Sequence, residues 1–100
     1  MKYNSREQII NELQQQFQFY LEKFNIDNIG VFEEEGQADL YYLGYTVTKN
    51  GKTYHIHTPY KKSNNGDLAP IDSEWTLETD DPIGNDLQGY ENLESAFQEI

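Results

Sequence analysis

Residues 41–60 read YYLGYTVTKNGKTYHIHTPY, two β-rich runs on either side of Asn50-Gly51. Both central residues of a type I′ turn need positive φ, and Asn-Gly supplies it readily. A two-residue loop then fixes the pairing: Lys49 faces Lys52, Val47 faces Tyr54, Tyr45 faces Ile56, Leu43 faces Thr58 and Tyr41 faces Tyr60. That surface is the expected core face. The other surface pairs Thr48 with Thr53, Thr46 with His55, Gly44 with His57 and Tyr42 with Pro59, and is mostly polar at the turn end.

Upstream, Ser5-Arg6-Glu7-Gln8 fits a capping box and predicts a helix start. Ile10, Leu13, Phe17, Leu21 and Phe24 recur at steps of three and four, widened by Ile9 and Tyr20, and Asn25 is a suitable stop. A strand is expected over Asn28 to Glu34, joined to the hairpin through Glu35-Gly36-Gln37-Ala38. Pairing Glu34 with Asp39 places Phe32 against Tyr41 in the core and sends Ile29 and Val31 to the second face beside Leu40 and Tyr42. It also sets two acids opposite one another, which repel.

Downstream, the turn cluster SNNGD and Pro70 lead into IDSEWTLETD, whose alternation predicts a fourth strand with Ile71 and Trp75, and with them Ser73 and Leu77, inward. Facing Tyr60 with Ile71 puts Trp75 beside Ile56, Leu77 beside Tyr54 and Glu74 beside His57, in a register open to a slip of two. DDPIGNDLQG reads as loop, and Asn92 caps a short last helix with Leu93, Ala96, Phe97 and Ile100 on one stripe. The expected fold is a single α+β domain over residues 1–100, in the order α-β-β-β-β-α. A four-stranded antiparallel meander carries the N-terminal helix, and the C-terminal helix with it, on one face.

Of the 100 residues, 36% are apolar and fourteen are aromatic, which suits a folded domain with one core. No apolar run approaches the ~20 residues of a membrane span, and MKYNSREQII lacks the apolar segment of a signal peptide. With no cysteine either, a cytoplasmic protein without disulfides or thiolate chemistry is expected. The net charge of −11 is uneven: residues 1–70 carry nine acids against seven basic residues, whereas 71–100 carry nine acids and no lysine or arginine. Such a chain repels phosphate, so direct nucleic-acid binding is not expected; the acidic last third serves solubility or, if it has a specific partner, a basic protein.

His55 and His57 lie on one face of a strand, where a third ligand from the next strand would complete a metal site. Glu74 is that candidate, with Glu78 behind it; Thr46 and Gly44, across from the imidazoles, offer no strong ligand. A solvated face with half-exposed imidazoles is the expected reading, so no cofactor or metal is assigned. Residues 80–91 span the length of an EF-hand loop, but Pro82 and Gly84 occupy ligand positions. No phosphate-cradling loop, nucleophile elbow or His-Glu-x-x-His helix is present.

GYTVTKNGKTYHIHTPY at 44–60, followed by YENLESAFQEI at 90–100, resembles a family of small proteins of unknown function from low-GC Gram-positive bacteria. The resemblance implies a cytoplasmic α+β domain and transfers no site.

The functional expectation is a non-catalytic acidic module, monomeric or weakly dimeric, that binds a protein. Ile29, Val31, Leu40 and Tyr42 form its apolar patch and Glu74, Glu78, Asp80 and Asp81 its acidic contribution. Two alternatives stand beside it. One is an acidic inhibitor that mimics nucleic acid or acts as an immunity protein; the other is a small metal-dependent enzyme using His55, His57 and Glu74.

Overall fold

The Ser5 hydroxyl accepts from the Gln8 amide at 3.1 Å and starts a helix, α1, Arg6–Gln15. This comes from a computed structural model that describes residues 3–71, 74–79 and 87–100. The helical stripe is not one continuous element. It breaks at Gln16 and resumes as α2, Phe17–Lys23. The cause lies in the sheet below: the Tyr45 hydroxyl donates to the Leu13 carbonyl at 2.8 Å, competing for the acceptor that the Phe17 amide would use in a regular helix. Asn25, at φ 53°, stops the second segment in the left-handed conformation.

The strands are β1 (Asn28–Glu35), β2 (Leu40–Lys49), β3 (Lys52–Lys62), β4 (Leu68–Pro70), β5 (Trp75–Thr79) and β6 (Leu87–Tyr90), followed by α3 (Leu93–Phe97). They form one antiparallel sheet of order β1-β2-β3-β5-β6, with β4 also on β3. The β2–β3 register is the one the Asn-Gly turn demands, from Lys49 opposite Lys52 to Tyr41 opposite Tyr60, with Asn50 and Gly51 at φ 54° and 78°. Tyr41, Leu43, Tyr45 and Val47 are buried on the face that carries all three helices.

The β1–β2 register differs from the sequence expectation by three positions. Glu34 faces Tyr42 and not Asp39, and Phe32 faces Gly44 and not Tyr41. An odd shift exchanges the two faces of a strand. Ile29 and Val31, expected on the second face beside Leu40 and Tyr42, therefore lie opposite Val47 and Tyr45 on the helix face, and Phe32 takes the outer one. The shift separates the two acids and sets Phe32 where Gly44 has no side chain to compete. The loop tightens accordingly: the Gly36 amide donates to the Leu40 carbonyl at 3.0 Å, and Ala38 adopts φ 55°.

The expected fourth strand is two short ones. Lys62 opposite Leu68 to Tyr60 opposite Pro70 joins β3 to β4; Ile56 opposite Leu77 and His57 opposite Thr76 joins it to β5. The second pairing is slipped by two from Trp75 beside Ile56. Pro59, which has no amide to donate, sits where the partner changes; its carbonyl accepts from the Ile71 amide at 3.2 Å. Leu68 and Ala69 fill the core there, while Ile71, expected inward, is 46% exposed. β6 arises from LQGY, read above as loop because four residues around Gly89 are too few to show alternation. The other expectations on Asp72, Ser73 and residues 80–86, including the loop with the EF-hand span, fall outside the described residues.

Asn92 caps α3, its side-chain oxygen accepting from the Ser95 amide at 2.8 Å. Phe97, fully buried, stacks on Tyr20 at 4.5 Å and on Phe24 at 5.1 Å between ring centroids, which holds α3 beside α2; among the described residues no helix lies on the opposite sheet face. Among the described residues no helix is long and apolar enough to cross a membrane.

α1 is tied to the sheet edge by Arg6 and Glu33. The Arg6 Nε bonds one carboxylate oxygen and Nη2 donates to the other at 2.7 Å. Arg6, and then the nearby Tyr41 hydroxyl, hold the Glu33 carboxyl below its usual range, against the burial that raises it. Because the folded value is the lower one, the pair's contribution is fully present above the ordinary carboxylate value near about pH 4.3 and is lost as pH falls through the folded value. Glu33→Gln is expected to cost no more than ~1 kcal/mol at neutral pH, since both partners are partly exposed, and the gap from wild type should close in acid. Urea melts of both proteins across the acidic range check this; a gap that widens on acidification contradicts it.

A methyl group on Gly44 would lie 1.9 Å from the Ile56 carbonyl oxygen and 2.7 Å from the His57 Cα, whereas one on Gly30 would meet nothing within 4 Å. Gly44→Ala should destabilise by about 1–3 kcal/mol or more. Gly30→Ala should be neutral or stabilise by up to about 1 kcal/mol. Chemical denaturation of the two variants side by side tests the contrast.

Candidate functional site

The open sheet face is built from the residues that the hairpin turns away from the helices. β3 contributes His55, His57 and Pro59, β2 contributes Tyr42, Gly44 and Thr46, and β1 contributes Phe32 and Glu34. Thr76 and Glu78 of β5 lie opposite His57 and His55. Gly44 is the midpoint of this arrangement. With no side chain between its neighbours, the Phe32 ring reaches across and stacks on His57, centroids 5.0 Å apart and planes 20° apart, while touching His55 at 5.1 Å. The Tyr42 ring meets His57 edge-on at 5.4 Å.

His57 is accordingly buried, 7% exposed, where a half-exposed imidazole is the sequence expectation. The exchange of faces on β1 is the reason, because it supplies the ring that covers His57. Its Nε2 lies 2.8 Å from the Glu78 carboxylate and so carries the proton that it donates; its Nδ1 is buried and has no hydrogen-bond partner among the described residues. His55 Nδ1 pairs instead with the Thr46 hydroxyl at 2.9 Å.

A carboxylate that orients an imidazole is the fixed half of many catalytic sites, but a general base must offer its other nitrogen to a substrate. His57 Nδ1 is enclosed, so in this arrangement the pair holds the ring in place. Glu74, the candidate third ligand of the metal-site alternative, is displaced by the two-residue slip of β5; its carbonyl accepts the Thr58 hydroxyl at 2.8 Å, and Glu78 takes its place beside His57. Among the described residues no three His, Asp or Glu side chains gather as a metal ion requires.

Beside His57 lies a groove of about 530 Å³. Leu40, Tyr42, Pro59 and Ile71 give it an apolar floor, and Glu34, Glu35 and Glu78 stand around it. Glu35 also reaches Lys62 at 3.3 Å, an exposed pair of small energetic weight. Of the residues singled out in the sequence, Leu40, Tyr42, His57 and Glu78 meet here. Ile29 and Val31 lie on the other side of the sheet, Glu74 precedes β5, and Asp80 and Asp81 are outside the described residues. Phe32, Glu34, Glu35, Pro59 and Ile71 were not legible as groove residues. The usable signal was Gly44, a glycine inside a strand, which invites an aromatic ring from a neighbouring strand.

Residues 3–100 match the family of unknown function DUF5634, and the chain belongs to that family. No curated protein matches it.

Glu78→Ala removes the acceptor of a buried N–H and should destabilise the fold by about 1–3 kcal/mol. In long-range proton–nitrogen NMR spectra of the wild type near neutral pH, His57 should show a protonated Nε2 and a bare Nδ1. The reverse tautomer would contradict the arrangement described.

Proposed function

We propose that this member of the DUF5634 family is a non-catalytic binding module that takes a basic segment of a partner protein into the open-face groove. The observation that carries this reading is an apolar floor of Leu40, Tyr42, Pro59 and Ile71 beside Glu34, Glu35 and Glu78, on the sheet face that the described helices leave uncovered. Apolar side chains of the segment fill the floor and its lysines or arginines meet the carboxylates, so that burial supplies affinity and charge supplies orientation. A cytoplasmic setting accords with a chain that has no cysteine. The alternative of an acidic decoy draws less support, because the described C-terminal acids are divided: Glu78 serves His57 on the open face and Glu94 pairs with Lys23 at 3.0 Å on the helix side.

Fluorescence anisotropy with a dye-labelled nonapeptide of alternating lysine and valine tests the reading against a glutamate-valine control. The basic peptide should bind, the acidic one should not, and Tyr42→Ala or Ile71→Lys should weaken binding by about tenfold, or ~1.4 kcal/mol. Equal binding of both peptides, no binding, or binding that ignores both substitutions overturns it. Binding lost entirely in high salt favours the decoy, because an apolar floor should retain part of the affinity.

A further inference from the structure

The geometry points to the outer edge of β1 as a strand-addition site, where an extended lysine- or arginine-bearing segment pairs with this chain main chain to main chain. The inference rests on the proposed basic partner and specifies how its segment is held.

Opposed residues in an antiparallel ladder alternate between pairs that exchange hydrogen bonds and pairs that do not. The Gly36 amide bonds the Leu40 carbonyl, and at the far end the Thr48 carbonyl, turned toward β1, accepts from the Asp27 amide next to the Asn28–Thr48 pair. Both place the even-numbered residues of β1 in bonding contact with β2. The amides and carbonyls of Ile29, Val31, Glu33 and Glu35 therefore point away from the sheet. No described strand lies beyond β1, and among the described residues nothing bonds to those groups.

The two sheet edges are treated differently. β6 has four residues, a register irregularity against β5, and Gly89 at φ 88°, features that spoil an edge for pairing. β1 runs through eight consecutive pairs and contains neither lysine nor proline. What it has instead is Glu33-Glu34-Glu35, of which Glu33 is engaged by Arg6 and Glu35 by Lys62, so that Glu34 on the open face carries most of the attraction. A second copy of a chain with net charge −11 is repelled by this edge, and a basic strand is drawn to it.

The two flanks give the segment its pattern. On the open face Phe32 and Glu34 suit cationic side chains, and the space above Gly30 is empty for 4 Å. On the helix face Ile29 and Val31 suit β-branched ones. Glu34, Glu35 and Gly36 also wall the groove, so a strand laid along β1 runs its end onto the groove floor.

The test uses the full chain and the lysine-valine nonapeptide, with amide exchange followed by NMR. At saturation the Ile29, Val31 and Glu33 amides should slow at least tenfold while those of Phe32 and Glu34 stay as they were. A peptide N-methylated at alternate residues should bind at least tenfold more weakly. A peptide that binds, depends on Tyr42 and leaves the odd-numbered amides unchanged overturns strand addition and keeps the groove. Alternate protection with no dependence on Tyr42 does the opposite. Protection that rises with protein concentration in the absence of peptide assigns the edge to a second copy and also overturns the inference.

Discussion

Side chains on a strand alternate, so fixing which way one of them points fixes its whole face, and in this molecule the choice is made at Asn50-Gly51. With both residues at positive φ, Lys49 closes on Lys52 and the odd positions of β2 turn toward the helices with the even positions of β3. Tyr45 is the side chain on which this matters most. It packs against Phe17, Tyr20 and Phe97 and passes its hydroxyl to the Leu13 carbonyl, so one decision at the turn sets the core, the break between α1 and α2, and the docking of α3. Burial also pushes the Tyr45 phenol well above its ordinary value, as expected of a hydroxyl that serves as a donor.

The same parity produces the open face by exclusion. Everything the hairpin turns away from the helices has to be covered by something small or shared, and Gly44 makes that possible by letting Phe32 span two histidines. The buried imidazole is then a structural part of the groove: Glu78 anchors it from β5, Phe32 and Tyr42 hold it from β1 and β2, and the groove wall borrows a residue from each of those strands.

Local signals in the chain were strong wherever a few adjacent residues decide the outcome. Ser5, Asn25, Asn50-Gly51 and Asn92 each announce a cap, stop or turn, and each takes that role. The hairpin and the helical stripe follow from them. What the chain hid depends on partners distant in sequence. The β1 register turns on whether Phe32 or the Ile29–Val31 pair is worth burying, which only Val47, Tyr45 and Gly44 together decide. The β5 register turns on Pro59, whose effect is felt across the ladder. Of the groove, Leu40, Tyr42, His57 and Glu78 were legible and the rest was not, because a wrong parity on one strand removes half of any site that two strands share.

Pro59 also divides the attachment of the C-terminal third. A central strand normally offers its outer neighbour an unbroken row of donors, and here that row has a gap between the residues that hold β4 and those that hold β5. β4 is secured in addition by the chain ahead of α1, through paired 2.8 Å bonds between Asn4 and Leu68. β5, β6 and α3 are held instead by the four β3–β5 ladder pairs, the Thr58–Glu74 and His57–Glu78 bonds, the Lys23–Glu94 pair and the Phe97 stack. Pro59 thus separates two attachments on one side of β3: β4 is tied to the chain ahead of α1, whereas β5 leads into α3 and the main core around Phe97.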